Sequence, residues 1–414
     1  MTMLQNSSDI TSITNKPTKK HGGSAAEVFL VFLKLGVTSF GGPIAHLGYF
    51  RQEFVEKRRW LDDEHFVHLL ALCQFLPGPA SSQLGFSIGL LRAGWRGAIA
   101  AFVAFTMPSA LILFALAMLS DQLVGPWGQG ALHGLKLVAV AVVAQGVLGM
   151  ARTLTPDRPR ALIAAVAAGV IAVGNNAWLQ LLIVIAGGLL GLVLCHGVTR
   201  PTQSSFDLRY GRRTGIALFA LFSILLVTTL MPLQGFPPLV HVAGAFYQAG
   251  ALVFGGGHVV LPLLKQTVVD TGWISNDTFL AGYGAAQAVP GPMFTLSAFL
   301  GDRLHGGDGG FLGATTSLIS IFLPGLLLVA AALPFWRVVG GGPIAARVLA
   351  GVNAAVVGLL AAALYDPVWI SAVLNAKDFA IALIAFVLLV AGRAPVLLVV
   401  TWCVVAATFA HVVG

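Results

Sequence analysis

Long apolar runs separated by short polar turns occupy almost the whole chain. Stretches of about 20 such residues are typical of membrane-spanning helices. Lipid offers no partner to open strand edges, and the short alternating strands of a membrane β-barrel are not seen. We therefore predict an all-α, polytopic integral membrane protein with about 13 hydrophobic helical segments, at residues 26–50, 65–91, 97–119, 131–151, 161–195 (two), 215–231, 243–264, 279–300, 311–334, 344–365, 379–392 and 395–413.

The composition agrees with this pattern and narrows the function classes. Hydrophobic residues make up 57% of the chain and charged residues only 10%, against about 25% charged in a soluble domain. The net charge of +8 does not indicate nucleic acid, because Lys and Arg fall mostly in short loops, where they orient the chain in a bilayer. The three cysteines, Cys73, Cys195 and Cys403, form neither a metal motif nor a disulfide framework.

The chain contains two copies of one pattern. Residues 32–42 line up with residues 246–256, and residues 74–79 with residues 287–292. So many matches in order are not expected by chance, even in a chain with 49 glycines. We predict a disordered cytoplasmic tail over residues 1–24, an N-terminal repeat over 25–195, a linker with a connecting helix over 196–242, and a C-terminal repeat over 243–414.

The repeat also predicts how the chain crosses the membrane. Six segments per half plus one connecting helix turn the second half upside down, a common transporter plan. An inside N-terminus places most Lys and Arg inside. Only loop 51–64, with four cations, fits poorly if every segment spans the membrane. The fit improves if the first two segments of each half are re-entrant hairpins, which we favour, although several carboxylates in that loop weaken the test.

Glycine and proline interrupt the first two segments of each half. Two prolines one residue apart remove helix donors, and broken backbone at membrane depth is tolerated where it lines a cavity or is buried in protein. A break also creates a half-helix N-terminus, which can bind an anion. The alternative is a proline kink without a ligand. The predicted substrate-binding residues at the breaks are Gly41, Gly42, Pro43, Pro77, Gly78, Pro79, Ser81, Ser82, Gln83, Gly255, Gly256, Pro290, Gly291 and Pro292, with Thr295 as a related donor.

Four further polar residues in apolar segments are candidate substrate ligands. Lys34 precedes the first break, and an intramembrane Lys is costly and often functional, unless it snorkels to the interface. His258 follows the second glycine-rich break and could donate to an anion, titrate, or be a satisfied buried His. Gln74 and Gln287 precede the two Pro-Gly-Pro breaks and serve either packing or ligand binding. His46 is a weaker candidate.

Carboxylates are nearly absent from the segment centres, so no proton-relay or sodium site built on Asp or Glu is visible. The sequence also lacks the motifs of zinc proteases, serine hydrolases and phosphate-cradling ATPases. We therefore predict no enzyme activity, no cofactor and no metal.

The stretch from Phe32 to Pro43, the Trp60-Leu61 corner and the run from Gln74 to Pro79 resemble the chromate ion transporter (CHR) family. The second copy, residues 254–257 and 287–292, carries the same resemblance, which spans nearly the whole chain in the long, two-domain form. It implies a multi-pass bacterial inner-membrane protein that exports chromate, confers resistance, and is linked to chromate's analogue sulfate. The second copy departs from the first at Gly257 and has no match to Lys34.

The leading hypothesis is a secondary transporter that exports chromate, and the closest alternative is a sulfate or other oxyanion permease. A membrane enzyme such as a chromate reductase fits less well because the sequence carries no cofactor motif. A purely structural scaffold fits less well because it does not explain the matched breaks. The expected partners are chromate and the lipid bilayer. The sequence leaves open whether sulfate is also a substrate and whether the protein forms a homodimer. The asymmetry at Lys34 and Pro43 predicts a substrate site nearer the first pair of breaks.

Overall fold

The structure, a computed structural model, describes residues 23–40, 42–120, 125–174, 177–196, 206, 208–231, 236–253, 260–304, 309–336 and 343–413. Within these ranges the regular structure is entirely helical, which confirms the all-α class. The helices are α1 (Ala25–Thr38), α2 (Gly42–Phe50), α3 (Asp63–Phe75), α4 (Ala80–Ser120), α5 (Pro126–Leu154), α6 (Arg158–Val173), α7 (Ala177–Leu194), α8 (Arg212–Leu230), α9 (Pro238–Leu252), α10 (Val260–Val268), α11 (Asn276–Ala288), α12 (Leu296–Asp302), α13 (Gly310–Ala332), α14 (Pro343–Ala363), α15 (Ala376–Val390) and α16 (Val396–Val413).

Five helices in the described ranges are long and apolar enough to cross a bilayer. They run over Ala80–Leu119, Pro126–Leu154, Arg212–Leu230, Gly310–Phe335 and Ala346–Ala372. Ala93 and Gly94 have non-helical backbone, so α4 consists of two parts, 80–92 and 95–120. These helices support a polytopic membrane protein, whereas the predicted number of 13 segments is not confirmed.

The glycine and proline breaks divide the first two apolar segments of each half into short helices. In the first half they separate α1 from α2, and α3 from the first part of α4. In the second half α9 ends at Leu252 and α10 begins at Val260, and the Pro-Gly-Pro break separates α11 from α12. A helix of 14 residues, the length of α1, spans about 21 Å, less than the roughly 30 Å of a hydrocarbon core. These short helices therefore reach only part of the way across.

Both broken segments of the first half begin and end at the same end of the molecule. The Gly23 amide donates to the Arg92 carbonyl over 3.2 Å. The Arg92 guanidinium pairs with Glu27 over 3.2 Å and lies 4.9 Å from the Trp60 ring centre. Three parts of the chain thus meet at one end of the molecule, which we call the Arg92 end. They are the residue before α1, the residues after α2, and the end of the first part of α4. Loop 51–64 lies at this end, as the re-entrant hairpin arrangement requires.

The hairpin of the second half enters from the opposite end. The second part of α4 leads away from the Arg92 end, and near its far end the Ala117 carbonyl accepts from Arg303 Nη1 over 3.5 Å. We call this end of the molecule the Arg303 end. A cavity there is lined by Asp277, at the start of α11, and by Arg303, just after α12. The second hairpin therefore begins and ends at the Arg303 end. The two halves have opposite orientations, as an inverted repeat requires.

The long helices interlock the two halves. A Cβ added to Gly134 of α5 would lie 2.6 Å from the Val404 Cα of α16, and one added to Gly191 of α7 would lie 2.8 Å from the Gly351 Cα of α14. Small residues let helix backbones approach closely, which favours association within a membrane. Because α5 packs on the last helix of the second half and α14 on the last helix of the first, the central breaks are held between interlocked halves.

Candidate functional site

The two Pro-Gly-Pro breaks meet the opposite half near the middle of the molecule. The Gly78 amide donates to the Val253 carbonyl over 2.7 Å, and the Gly291 amide donates to the Ser39 carbonyl over 2.9 Å. Ser39 and Val253 occupy matching positions in the two repeats, directly after α1 and α9. Each break thus satisfies a backbone carbonyl at a helix end in the other half, which fixes the two hairpins against each other.

Both break glycines need their lack of a side chain. The φ of Gly78 is +121° and that of Gly291 is +107°, a region that other residues rarely adopt. A Cβ on Gly78 would lie 2.9 Å from the Gly325 Cα, and a Cβ on Gly291 would lie 2.8 Å from the Ser109 Oγ. The two contacts come from matching places, just after Pro108 in α4 and Pro324 in α13.

Helix α4 begins directly at the first break and points its N-terminus at the centre. The first turn of a helix carries amides without intrahelical partners and a partial positive charge. Ser81 and Ser82 lie in this turn with side chains only 3% exposed. Backbone amides and hydroxyls therefore lie together at the first break, and groups of this kind can bind an anion.

His46, in α2, connects the first break to the end of α1. Its side chain is fully buried, with Nε2 at 3.2 Å from the Ser39 carbonyl and Nδ1 at 3.5 Å from the Ser81 Oγ. A carbonyl can only accept, so Nε2 carries a hydrogen and donates to Ser39. In the neutral ring Nδ1 then accepts, and the Ser81 hydroxyl is the donor that faces it.

Gln83 supports the backbone at the break. Its Nε2 donates to the Pro77 carbonyl over 2.9 Å and to the Gly325 carbonyl over 3.0 Å. Both amide hydrogens are therefore used, one within the first half and one across to the second. Binding an anion through this amide requires that one of these bonds opens, while the Gln83 Oε1 has no partner among the described residues.

Several hydroxyls around the two breaks are buried. Ser39 Oγ, Ser82 Oγ and Thr106 Oγ1 have no hydrogen-bond partner among the described residues. A buried polar group left unpaired costs about 1–3 kcal/mol. We define the central polar cluster as Ser39, His46, Ser81, Ser82, Gln83, Thr106 and Ser109, all at most 3% exposed.

Most of the matching positions of the second half are apolar. Val260 stands where the first half has His46, and Phe294 and Leu296 stand where it has Ser81 and Gln83. Thr295 keeps a hydroxyl, but that hydroxyl donates to the Pro292 carbonyl over 2.6 Å. Gln287 is 7% exposed, and its Nε2 reaches the Met293 Sδ over 3.5 Å. The two breaks thus share a backbone and differ in side-chain chemistry.

The structure brings together only part of the predicted site. Pro79 and Gly78 are buried and Pro77 is half-buried at the first break, and Pro290 to Pro292 form the second. Lys34 and Gln74 lie on exposed helix faces. Their binding roles stay predictions. Gly42 starts α2 with a φ of +74°. The predicted site residues that lie outside the described residues are Gly41, Gly255, Gly256 and His258, together with the side chain of Pro43.

Sequence reasoning left four members of the central polar cluster out of the predicted site. Ser39, Thr106 and Ser109 read as ordinary small polar residues within apolar segments, and His46 carried only a weak signal. A comparison of the repeats could have found them, because Val253, Phe322, Gly325 and Val260 occupy the matching positions.

Comparisons with known proteins agree on one family. The sequence profile described as chromate transporter matches residues 26–192 and 240–409. The chain is 31% identical to a probable chromate transport protein of Synechococcus elongatus over 80% of this chain and 81% of that one. It is 30% identical to the chromate transport protein of Pseudomonas aeruginosa over 83% and 81% of the two chains. No solved structure gives a significant match. The chain belongs to the chromate transporter family.

Proposed function

We propose that this protein is a secondary transporter that exports chromate from the cytoplasm across a bacterial inner membrane and thereby confers chromate resistance. The observation that carries the proposal is the central polar cluster at the meeting point of the two Pro-Gly-Pro breaks. The chromate transport proteins of Pseudomonas aeruginosa and Cupriavidus metallidurans support the choice of substrate, at 30% and 29% identity.

The chemistry of the centre suits a tetrahedral dianion. Hydroxyls of Ser39, Ser82 and Thr106 are buried without partners among the described residues, and Ser82 lies in the first turn of α4. The buried carboxylates among the described residues are Glu53 and Asp378. Glu53 belongs to the Arg92 end, where Trp60 stacks on Phe54, and Asp378 lines the cavity at the Arg303 end. No acidic side chain of the central polar cluster therefore repels the anion.

Neutral donors also suit a transporter better than a buried Lys or Arg would. Hydrogen bonds to a charged group contribute about 1.5–3 kcal/mol each. A few of them can hold a dianion that has left water, and a weaker site releases its ligand more readily. The breaks supply these donors at a depth where the two halves touch, which is where inverted-repeat transporters bind their substrates.

Charge and membrane potential favour export. With the inside negative, each elementary charge is worth about 2.3 kcal/mol per 100 mV. A dianion leaving the cell thus gains roughly 4–5 kcal/mol at that potential. Export needs no nucleotide, whereas import needs coupling to another gradient.

Uptake of labelled chromate into everted membrane vesicles tests the proposal. Vesicles with this protein should accumulate chromate, and vesicles without it should not. The accumulated label should remain chromate, because a chromate reductase would convert it. Excess sulfate added to the same vesicles distinguishes a chromate transporter from a broader oxyanion permease, which sulfate would inhibit strongly. Unchanged chromate accumulation would contradict the proposal.

Variants at the first break test the site. Replacing Pro77 and Pro79 together by Ala should abolish chromate transport while the protein remains in the membrane, because a continuous helix would withdraw the α4 N-terminus. Pro126→Ala is the matched control, since Pro126 stands at the first position of α5, where proline is easily replaced. Full resistance in the double variant would show that these prolines are only kinks.

A further inference from the structure

A polar cavity opens at the Arg303 end, away from the central polar cluster. Its volume is about 900 Å³, and it lies between α5, α11, α12, α15 and α16. Charged side chains of both signs line it. Nothing in the proposed transport of chromate through the centre accounts for these charges.

The carboxylates of the cavity are already occupied. Asp277 pairs with Lys136 over 2.6 Å. Asp378, which is 5% exposed, accepts from His133 Nε2 over 2.9 Å and from the Leu374 amide over 3.1 Å. Neither carboxylate is left over to bind a cation.

The positive groups of the cavity exceed these two carboxylates. Lys136, Arg303 and Lys377 carry permanent positive charge, and His133 and His411 add charge when protonated. Arg303 is partly engaged with the Ala117 carbonyl. Lys377 is exposed and belongs to none of the ion pairs found among the described residues. A cleft with an excess of one sign concentrates ions of the opposite sign.

Two helix N-termini add to this positive field. Helices α11 and α15 both start in the cavity wall, where Ser275 accepts from the Thr278 amide and Asn375 accepts from the Lys377 and Asp378 amides. The N-terminus of a helix carries a partial positive charge that these caps do not cancel. The charged side chains and the helix ends thus favour the same kind of ligand.

The cavity lies on the side of the second break. Ala281 and Phe299 in its wall belong to the hairpin that carries Gly291. Along the helices they stand roughly 10–15 Å from that glycine. At the Arg92 end, by contrast, Phe54 stacks on Phe32 with ring centres 4.9 Å apart and on Trp60 at 5.1 Å. Packed aromatic rings fill that end where the Arg303 end has an open cavity.

We propose that this cavity is a second oxyanion-binding site, which holds a hydrated tetrahedral dianion outside the centre through the charge of Lys377 and the N-termini of α11 and α15. The inference rests on the proposed function in one respect, because it takes the transported anion, chromate, as the natural ligand of the cavity. A cavity of about 900 Å³ leaves room for a hydration shell, so recognition is by charge and not by shape. Binding is therefore weak, sensitive to salt, and similar for different tetrahedral dianions.

Calorimetric titration of the purified full-length protein with tungstate, a tetrahedral dianion, tests the inference directly. At low salt the protein should bind tungstate at a site that Lys377→Glu weakens roughly tenfold and Lys377→Gln roughly threefold, because two charges or one are removed near a dianion. Salt at high concentration should abolish binding at this site. Arg213→Glu is the control, since Arg213 is exposed at the start of α8, near the Arg92 end.

Equal tungstate affinity in Lys377→Glu and in the unchanged protein overturns the inference, and so does binding that salt leaves unaltered. An equal loss in Arg213→Glu also overturns it, because the effect would then be one of net charge. Vesicle transport separates this inference from the proposed function. Tungstate binding that depends on Lys377 in a protein without chromate flux supports the cavity site alone. Normal flux without such binding supports the central site alone.

Discussion

The two Pro-Gly-Pro breaks have the same backbone and different surroundings. Gly78 and Gly291 share a positive φ and a hydrogen bond across to the other half. Around the first break the neighbouring side chains are His46, Ser81 and Gln83; the matching residues of the second are Val260, Phe294 and Leu296. The inverted fold therefore requires both breaks, whereas the side chains of the central polar cluster all come from the first half. Symmetry of the backbone does not imply symmetry of function.

The largest effect should come from adding a methyl group at the breaks. Gly78→Ala should abolish chromate transport and lower the melting temperature of the purified protein, because its Cβ would meet the Gly325 Cα at 2.9 Å. A sparsely populated backbone conformation of this kind adds about 1–3 kcal/mol of strain for an L residue. Gly291→Ala should do less damage, because its nearest contact is the Ser109 side chain, at 2.8 Å.

The double variant Gly291→Ala, Ser109→Ala sharpens this comparison. Removing the Ser109 hydroxyl should restore part of the melting temperature lost in Gly291→Ala, whereas the Ser109 change should not help Gly78→Ala. Thermal unfolding followed by size-exclusion chromatography measures both. Equal loss at the two glycines without rescue would show that strain in φ, and not the local contact, limits both breaks.

A smaller effect should separate the chemistry of the two breaks. Ser82 and Thr295 match in the repeat, but Ser82 Oγ has no partner among the described residues, while Thr295 Oγ1 donates to the Pro292 carbonyl over 2.6 Å. Ser82→Ala should raise the KM for chromate about tenfold or more, because it removes a hydrogen bond to a charged group. It should not lower stability, because the hydroxyl that it removes is buried and unpaired among the described residues.

Thr295→Val is the matched control for that variant. It should cost about 1 kcal/mol of stability through the lost bond to Pro292 and leave the KM unchanged. Initial rates of chromate uptake into vesicles at several chromate concentrations give both KM values. A rise in KM for Thr295→Val that equals the rise for Ser82→Ala would place substrate equally at both breaks.

The variants that test the orientation of the two halves should have the smallest effect on activity. Lys57 and Thr271 match in the repeat and are exposed near the two ends. Cysteines placed there should leave transport unchanged but react with a membrane-impermeant maleimide from opposite sides of the membrane, Lys57→Cys from the cytoplasm. The native Cys73, Cys195 and Cys403 are buried and should give little background. Labelling of both from one side would contradict the inverted arrangement.

The sequence predicted the helical class and the broken segments well, because proline and glycine act locally on the backbone. Pro77, Gly78 and Pro79 end one helix and begin another for reasons contained in those residues. The predicted site was less complete. Lys34 and Gln74 were chosen as polar residues in apolar segments, but they occupy exposed helix faces. His46 carried a weak signal and is fully buried in the central polar cluster.

The sequence by itself determined the positions of the breaks and predicted two repeats of opposite orientation, since these depend on residue order and local backbone chemistry. Only the tertiary structure decided which faces meet. In a membrane, the lipid-facing and protein-facing sides of a helix are both apolar, so polarity does not indicate which side is buried. The bonds from Gly78 to Val253 and from Gly291 to Ser39 join residues far apart in sequence, and the packing of the two halves brings these residues into contact.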